Sequence, residues 1–313
     1  MKNGMRRVHG REIEFSNLEK VLYPEAGITK GDVIEYYERI AETMLPHVRD
    51  RFVSMHRWPD GLDGEGFYQK EAPDYFPDWI RTGEVEKEGG TNRQVVIDEP
   101  ATLVYLAQQA CLTPHVWMSR SGNPRHPDRM VFDFDPSREG EEAFGDLRDA
   151  ARSLRDLLSE LGLPACPMTS GSRGLHIHVP LAGDETFDAV KPFSRAVAEI
   201  LVAREPERLT TEVRKKKRDG RIFIDYLRNE YAQTSVPPYA LRARPGAPVA
   251  VPLDWDELGR PGMSPRRYTL RNVFRRLGAK GDPWADLADQ ASELEPRRDA
   301  LASLRDGVGL GET

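Results

Sequence analysis

The stretch Arg129-Met-Val-Phe-Asp-Phe-Asp135 decides how the middle of this chain folds. Along it, Val131, Asp133 and Asp135 alternate with the large apolar residues Met130, Phe132 and Phe134. Successive side chains of a β-strand point to opposite faces, so the alternation predicts a strand that carries Asp133 and Asp135 on one face, about 7 Å apart. A second apolar run, Arg221-Ile-Phe-Ile-Asp-Tyr-Leu227, carries Asp225. Three acids brought together on strands suit Mg²⁺ or Mn²⁺, which prefer oxygen ligands. The alternative is that these acids simply end their strands.

The composition excludes several classes of protein. A length of 313 residues suffices for one large or two modest domains. No stretch approaches the ~20 apolar residues of a membrane span. The N-terminal residues 1–7 lack the apolar core of a signal peptide. The two cysteines, Cys111 and Cys166, form neither a disulfide framework nor a zinc site, which favours a reducing, cytoplasmic location.

The charge distribution is uneven. A net charge of −6 argues against a protein that coats nucleic acid by bulk attraction, but it leaves room for a local basic groove. Six cations lie within eight positions: Arg214, Lys215, Lys216, Lys217, Arg218 and Arg221. This run is either a patch that contacts phosphates or a solvated turn before the next strand.

Hydrophobic periodicity predicts alternating helices and strands. Predicted helices cover 30–44 after a Thr29 cap, 101–112, 144–161 ending at Gly162, and 187–200. Predicted strands cover two runs within 51–70 around the turn Pro59-Asp60-Gly61, and residues 129–135, 175–179 and 221–227. The order from 129 to 227 indicates a compact layer of strands and helices. Residues 284–304 are predicted to form a peripheral helix, and the last nine residues to fray.

The turn Thr169-Ser-Gly-Ser-Arg-Gly174 precedes a strand that begins Leu175-His-Ile-His178. Its glycines and serines let backbone N–H groups approach an anion, and Arg173 adds a forked cation that suits phosphate oxygens. His176 and His178 share one strand face. Each feature alone is often only a turn or a satisfied polar residue. Beside a metal pair, however, a polyphosphate cradle is what nucleotidyl transfer requires.

Three motifs occur in order: Asp133-x-Asp135, Ser170-x-x-Arg173-x-x-His176, and Asp225 after apolar residues. In these motifs the chain resembles the archaeo-eukaryotic primase superfamily, and more closely the polymerase domain of bacterial ligase D, which acts in non-homologous end joining. The similarity runs from about residue 11 to about 260. It includes Phe15-Ser-Asn17-Leu-Glu-Lys20, Tyr23-Pro24, Arg57-Trp58-Pro59, Phe67-Tyr68-x-Lys70, Thr113-Pro-His115 and Pro238-Tyr-Ala-Leu-Arg242.

The resemblance implies a role for each matched residue. Asp133, Asp135 and Asp225 would be catalytic and hold two ions, Mn²⁺ or Mg²⁺, and Asp225 would also help to activate the primer 3′-hydroxyl. The residues implied to bind the incoming NTP or dNTP, with ribonucleotides preferred, are Asn17, His115, Ser170, Arg173, His176, Arg218 and Arg242. The residues implied to bind DNA are Lys20 and Lys30 at a 5′-phosphate, Phe67 and Tyr68 on template bases, and Arg57 and Lys70.

The sequence departs from the family pattern at three places. His56 stands where relatives often carry lysine, Tyr68 where phenylalanine is common, and Arg173 where lysine is common. The last two keep the ring or the charge. The ligase and phosphoesterase domains of the multidomain enzyme are absent, so the chain is expected to be either a stand-alone polymerase or an excised domain.

The implied residues also have ordinary structural alternatives. Phe67 and Tyr68 could be core aromatics, and Lys20 and Lys30 could be solvated surface lysines. Asn17 could cap a helix, His115 could satisfy a turn, and Arg242 could be an exposed strand residue. The tetrapeptide Lys217-Arg-Asp-Gly220 matches the K-x-D-G of nucleotide ligases, but without companion motifs it is interpreted as a turn, and Asp219-Gly220 also suits a hairpin.

The sequence therefore predicts an α+β fold of primase-polymerase type, with an RRM-like catalytic sheet and flanking helices packed on an N-terminal α/β part. The predicted domains are 1–120 for DNA-end and template contacts, 121–262 for catalysis, and 263–313 as a helical extension. The predicted function is template-directed addition of nucleotides to 3′ ends at DNA breaks or gaps.

The expected partners are DNA ends or gaps with a 5′-phosphate, a Ku-type protein and a DNA ligase, without a membrane. The protein is expected in the cytoplasm, on the nucleoid when bound to DNA. Three other functions stay open: a primase-polymerase for gap repair or priming, a non-catalytic DNA-end-binding module, and a D-x-D glycosyltransferase with a Mn²⁺-bound nucleotide sugar.

Overall fold

The computed structural model describes residues 2–87 and 89–311. Its strands are β1 (Gly4–Val8), β2 (Arg11–Phe15), β3 (Val21–Tyr23), β4 (Ile28–Thr29), β5 (Arg51–Arg57), β6 (Phe67–Gln69), β7 (Thr82–Lys87), β8 (Gly90–Ile97), β9 (Cys111–Trp117), β10 (Arg129–Asp135), β11 (Cys166–Thr169), β12 (Leu175–Pro180), β13 (Leu209–Thr210), β14 (Ile222–Asp225), β15 (Thr234–Ser235) and β16 (Val251–Pro252). Its α-helices are α1 (Lys30–Val48), α2 (Pro100–Gln108), α3 (Glu141–Glu160), α4 (Phe187–Arg204), α5 (Val273–Lys280) and α6 (Arg298–Gly307).

Contacts between residues divide the chain into two units, both of them discontinuous. The first comprises Met1–Gly122, Thr234–Val251 and Tyr268–Asp282, and the second comprises Asn123–Gln233, Pro252–Arg267 and Pro283–Thr313. The three consecutive functional domains proposed from the sequence remain a prediction.

The first unit contains an antiparallel sheet in the order β15-β9-β5-β8-β7, and β6 pairs with the second half of β5. Helix α1 begins with a capping box, in which the Thr29 hydroxyl accepts the N–H of Asp32 and the Asp32 carboxylate accepts the N–H of Thr29. Such a cap stabilises a helix by about 1 kcal/mol. The predicted cap, the start of α1, and the two strands within 51–70 are confirmed.

The second unit contains a sheet in which strands run β13-β14-β10-β12-β11. Strands β10, β11, β12 and β14 pair antiparallel, and with α3 and α4 they follow the chain order β-α-β-β-α-β. This is the split βαβ order of RRM-like folds, with β10 in the centre. The α+β fold class and the RRM-like catalytic sheet are confirmed.

The two faces of this second sheet differ in chemistry. Met130, Phe132 and Phe134 are fully buried, as are the apolar residues of β12, and α3 and α4 contact these strands. Helix α3 contributes Leu147, Leu154 and Leu158, none more than 1% exposed. The alternate residues of β10 and β12, which include the aspartates, therefore lie on the face away from the helical core.

Two elements end two or more residues earlier than the sequence predicted. Helix α2 stops at Gln108 rather than near 112, because Ala110 adopts a left-handed φ of 56° and Cys111 begins β9. Strand β14 ends at Asp225, whose Oδ1 accepts the N–H of Leu227 and starts a turn.

The predicted helix 284–304 is instead two short 3₁₀ turns followed by α6. The chain leaves the helical conformation at Ala291, where ψ is 134°, and Pro296 lies in the first turn of the second 3₁₀ segment. Of the nine residues predicted to fray, those up to Gly307 complete α6, and Glu312 and Thr313 lie outside the described residues. None of the helices within 2–87 and 89–311 is long and apolar enough to cross a membrane.

Candidate active site

Strand register brings the three predicted acids together. Asp133 on β10 lies directly opposite Asp225 on β14, and on its other side directly opposite His176 on β12. Residues opposite each other in antiparallel strands project from the same face, with Cβ atoms about 5 Å apart. Asp135 follows two residues along β10, so it shares that face. The two separated sequence motifs thus converge on one surface of the central strand.

Each carboxylate on β10 contacts a basic group. Oδ1 of Asp135 accepts a hydrogen bond from Nη2 of Arg173, and Oδ2 accepts one from Nη1 of Arg218, both at 3.0 Å. Oδ1 of Asp133 lies 3.4 Å from Nε2 of His176. The arginines on both oxygens of Asp135 therefore compensate its negative charge.

Asp225 is the most enclosed of the three acids, with a side chain 13% exposed. Burial raises the pKa of Asp225, the nearby Arg228 opposes that rise, and the charge of Asp133 adds to it. Nε of Arg228 lies 3.3 Å from Oδ2 of Asp225. Arg228 was not identified from the sequence, although its position three residues after the acid, across a turn, offered a weak signal.

The donor set fits the divalent cations that the sequence predicts. Three carboxylates on one face of neighbouring strands supply hard oxygen ligands and enough negative charge for two ions. In the described part of the chain, no three His, Cys, Asp or Glu side chains are already drawn together as a ready metal site. The carboxylates instead engage Arg173, Arg218, Arg228 and His176. The assignment of metal ligands remains a prediction.

The turn before β12 is tight, as its serine and glycine content suggested. The Ser170 hydroxyl accepts the N–H groups of Ser172 and Gly174, at 3.1 and 3.0 Å, which closes the turn. A Cβ atom on Gly174 would lie 2.2 Å from the carbonyl oxygen of Phe134. Only glycine therefore allows the turn to approach β10 so closely, and this approach holds Arg173 beside Asp135.

Arg218 is separated from the rest of the basic run by its burial. Its side chain is 8% exposed, lies 4.0 Å over the ring of Phe223, and also donates to the carbonyls of Glu212 and Val213. Lys215, Lys216 and Lys217 are exposed. Arg218 thus faces the acids, whereas the three lysines face solvent.

The Lys217–Gly220 tetrapeptide forms a turn, with φ of 49° at Asp219 and 80° at Gly220. The predicted turn is confirmed, but it does not join a hairpin, because β13 and β14 run parallel on either side of it. A hairpin requires antiparallel strands.

Asn229 is a supporting residue that sequence reasoning missed. It is fully buried, accepts the N–H of Val131 at 2.7 Å, and donates to the Val131 carbonyl at 2.8 Å. The Asn229 side-chain amide therefore binds both backbone polar groups of Val131, two residues before Asp133, as the backbone of a partner strand would. An Asn four residues after a strand acid carries no distinctive sequence signal, since its partner is 98 residues away.

The first unit holds the remaining predicted nucleotide-binding residues. His115 lies on β9 opposite Ser54 and is 8% exposed, so it belongs to a strand rather than a turn. Its ring lies 5.4 Å from that of Tyr68, and Tyr68 stacks on His56 at 4.3 Å with an interplanar angle of 2°. Burial lowers the pKa of His56 to about 4, helped by the charges of Arg242 and Arg244. His56 is therefore neutral at pH 7.

Asn17 and Arg242 occupy irregular backbone. Asn17 has a left-handed φ of 56°, and the residues directly after it form a turn rather than a helix. The helix-cap alternative is therefore wrong. Arg242 is half-buried and adjoins an isolated bridge between Leu241 and Val249 rather than lying in a strand. The positive charge of Arg242 contributes to the lowered pKa of His56. Their predicted contacts with a nucleotide stay predictions.

The two lysines predicted at a 5′-phosphate differ in environment. Lys20 is 40% exposed and pairs with Asp60 at 2.6 Å. Lys30 is buried, and its ammonium group donates to the Ser16 carbonyl at 2.9 Å. Burial lowers the pKa of Lys30 to about 8, and the positive charges of Lys20 and Arg57 contribute. Lys30 is thus not an ordinary solvated lysine, and it lies within a cluster of cations.

The predicted template contacts are accessible. Phe67 and Tyr68 on β6 are 46% and 59% exposed, so they are not core aromatics. Arg57 on β5 lies opposite Phe67, with its guanidinium carbon 5.8 Å from the ring centroid. Lys70, just after β6, is exposed. This edge of the first unit therefore presents rings and cations to solvent.

The sheet order and the family match together define the chain as a nucleotidyltransferase of the primase-polymerase type. Residues 29–284 match the family described as LigD, primase-polymerase domain, and the chain belongs to that family. The family consists of metal-dependent nucleotidyltransferases. These findings do not support the alternative of a nucleotide-sugar glycosyltransferase.

The similar proteins with curated descriptions are longer than this chain. It is 36% identical over 305 residues to the multifunctional non-homologous end joining protein LigD of Mycolicibacterium smegmatis, covering 97% of this chain and 39% of that protein. It is 30% identical over 276 residues to the bifunctional LigD of Bacillus subtilis, covering 88% of this chain and 44% of that protein. The chain therefore spans about two fifths of the length of these relatives.

A solved structure supports the same assignment. The polymerase domain from Mycobacterium tuberculosis ligase D in complex with DNA is 35% identical and superposes with a TM-score of 0.83, over 90% of this chain and 99% of that one. The similarity of fold extends over nearly the whole of that domain.

Proposed function

We propose that this chain adds nucleotides, preferably ribonucleotides, to the 3′ end of a primer at a DNA break or gap, under the direction of a template. The observation that carries the proposal is the register of Asp133 against Asp225, with Asp135 on the same face. Two divalent cations at these acids would stabilise the attacking and leaving oxygens of an in-line displacement. The solved relative in complex with DNA supports a nucleic-acid substrate.

The chain's own side chains would position the nucleotide. Arg173 and Arg218 both donate hydrogen bonds to Asp135, and their guanidinium groups would be suited to bind the phosphate oxygens of the nucleotide. The Ser170 turn fixes Arg173, and burial fixes Arg218. His176, 3.4 Å from Asp133, would orient that acid, and Asp225 would help to activate the 3′-hydroxyl. Preorganised charges of this kind supply most of the catalysis in phosphoryl transfer.

The first unit would bind the DNA. Lys20 and Lys30 would hold a 5′-phosphate, while Phe67 and Tyr68 would stack on template bases with Arg57 and Lys70 beside them. Asn17, His115 and Arg242 of the same unit are also proposed to bind the incoming nucleotide. We place the protein in the cytoplasm, with a Ku-type end-binding protein and a DNA ligase as partners, because its longer relatives are end-joining proteins.

The decisive experiment is primer extension on a gapped duplex that carries a 5′-phosphate, with Mn²⁺ or Mg²⁺ and either ribo- or deoxynucleotides. We expect template-dependent addition, faster with ribonucleotides, that Asp135→Ala abolishes without loss of DNA binding. Nucleotide addition by the Asp135→Ala variant would show that the reaction does not depend on the proposed acids. A wild type that binds DNA but never extends it would leave a non-catalytic end-binding module. Synthesis without a primer would identify a priming enzyme.

A further inference from the structure

Two of the exposed aromatic side chains of the first unit contact one arginine. Among the large hydrophobic side chains that are exposed in the described residues, the aromatic ones are Phe67, Tyr68 and Tyr75, and Tyr75 is the most exposed at 63%. Phe67 and Tyr75 both contact the guanidinium group of Arg57, and Tyr68 is the next residue after Phe67 on β6. The family motifs account for Phe67 and Tyr68 but not for Tyr75.

Arg57 holds a fixed position between the two rings. Its Nε donates to the Gln109 carbonyl at 2.9 Å, and Nη1 donates to Oε1 of Gln69 at 2.7 Å. Nη1 also donates to the Tyr75 hydroxyl at 3.1 Å, and the guanidinium carbon lies 5.8 Å from the Phe67 ring centroid. One immobilised cation therefore links a ring on β6 to a ring on the following segment.

The segment that carries Tyr75 is irregular but well anchored. The N–H of Ala72 donates to the Arg93 carbonyl on β8 at 2.7 Å, and Phe76 and Ile80 are buried. The Tyr75 ring packs edge-on against Phe76 at 5.3 Å, and Phe76 packs in the same way against Tyr105. The exposure of Tyr75 therefore belongs to a ring that is held in place, with little ordering entropy left to lose on binding.

We propose that Tyr75 is a third base-stacking residue, which extends the surface for single-stranded DNA beyond Phe67 and Tyr68. The inference rests on the proposed function, because it takes a template strand as the occupant. Rings that alternate with cations are the combination that binds single strands: the rings stack on bases, and the cations attract phosphates. Here Arg57 and Lys70 supply the cations, and the nearby Asp74 is paired with Arg93 at 2.8 Å.

The test is the affinity for gapped or overhanging DNA with a 5′-phosphate, measured by fluorescence anisotropy without divalent cations, for single-stranded template lengths of 2 to 8 nucleotides. We expect Tyr75→Ala to weaken binding about 5-fold or more, only for templates long enough to reach the third ring. Tyr75→Phe should bind nearly as wild type, because stacking needs the ring rather than the hydroxyl. Met5→Ala is the matched control, since Met5 is also 63% exposed but lies on the N-terminal hairpin.

Replacing one template base at a time with an abasic site locates the contact. One position should lower the affinity of wild type but not of Tyr75→Ala, and it should differ from the positions that depend on Phe67 or Tyr68. Equal affinity of wild type and Tyr75→Ala at every length would overturn the inference, and so would equal losses for Phe and Ala at this position. Neither result would contradict the proposed polymerase function, which primer extension tests separately. Absence of both extension and DNA binding in wild type would refute that function itself.

Discussion

The acidic face of the second unit and the aromatic edge of the first unit place their functional groups in different ways. Asp133, Asp135 and Asp225 lie on neighbouring strands, are at most 26% exposed, and each contacts a basic side chain. Phe67 and Tyr68 lie on a three-residue strand and are about half exposed. Charges that must stabilise a reaction gain from burial and fixed distances, whereas rings that receive a flexible strand must remain accessible.

The largest expected effect is on the acidic face. Asp225→Asn should lower primer extension by on the order of 10²- to 10³-fold, because it removes a charge from the reaction site. DNA affinity should stay within about 2-fold of wild type, since the aromatic edge is untouched. Single-turnover extension and anisotropy on the same gapped DNA measure the two quantities.

Asp149→Asn is the matched control for this acid. Asp149 is 59% exposed on α3 and, within the described part of the chain, its carboxylate forms a salt bridge with Arg152 three residues on. Normal extension by this variant separates the loss of a specific acid from the loss of any surface charge. A similar loss of DNA affinity and of extension in Asp225→Asn would mean that the two regions are not functionally separate. Removal of divalent cations by a chelator should reproduce the Asp225→Asn result.

A second prediction concerns the close approach of the turn Thr169–Gly174 to β10. Gly174→Ala should destabilise the protein by about 2–4 kcal/mol, because the new Cβ would lie 2.2 Å from a backbone oxygen. Gly145→Ala on α3 should instead stabilise by up to about 1 kcal/mol, since its Cβ would meet only the tip of Arg148 at 3.6 Å. Chemical denaturation measures both, and equal stabilities would show that the turn tolerates displacement.

The aromatic edge should respond with smaller, length-dependent effects on binding. Phe67→Ala and Tyr68→Ala should each cost about 1–3 kcal/mol of template affinity, the usual contribution of one stacked base. The maximal extension rate at saturating DNA should change little, because neither ring lies on the acidic sheet. Titrations of gapped DNA, analysed for affinity and rate separately, measure this. A fall in rate at saturation would place these rings in the reaction rather than in binding.

The smallest expected effect is a pH dependence at Lys30. Since its pKa is lowered to about 8, the amine is charged at pH 7 and loses its charge as the pH rises through 8. The preference for a 5′-phosphate over a 5′-hydroxyl should fall about 3- to 10-fold between pH 7 and 9, because the phosphate itself stays doubly ionised there. Lys30→Arg should flatten the profile, since arginine keeps its charge. An unchanged preference across this range would argue against Lys30 as a phosphate ligand.

Local pattern predicted much of the second unit. The alternation in 129–135 fixed the limits of β10, and the apolar spacing in 144–161 located α3 to within three residues at its start. The family membership and the RRM-like sheet are confirmed as well. Signals of this kind are local, since they depend on side-chain periodicity and on residues such as Gly162 that end a helix.

Features that depend on distant residues were missed or wrong. Asn229 supports β10 across 98 positions, and the parallel pairing of β13 with β14 contradicted a hairpin that Asp219 and Gly220 favoured locally. The helical composition of 284–304 gave no sign of the break at Ala291. Tyr75 had no motif to mark it, because its exposure and its contact with Arg57 exist only in the folded unit.

The sequence by itself determined which residues could carry charge and which strands they would occupy, because side-chain alternation follows directly from strand geometry. It also determined the family, through motifs that occur in a fixed order. Only the tertiary structure decided that Asp133 lies between His176 and Asp225, that Arg173 and Arg218 share Asp135, and that Lys30 is buried. Register, ion pairing and burial arise between residues far apart in the chain, so no local pattern could specify them.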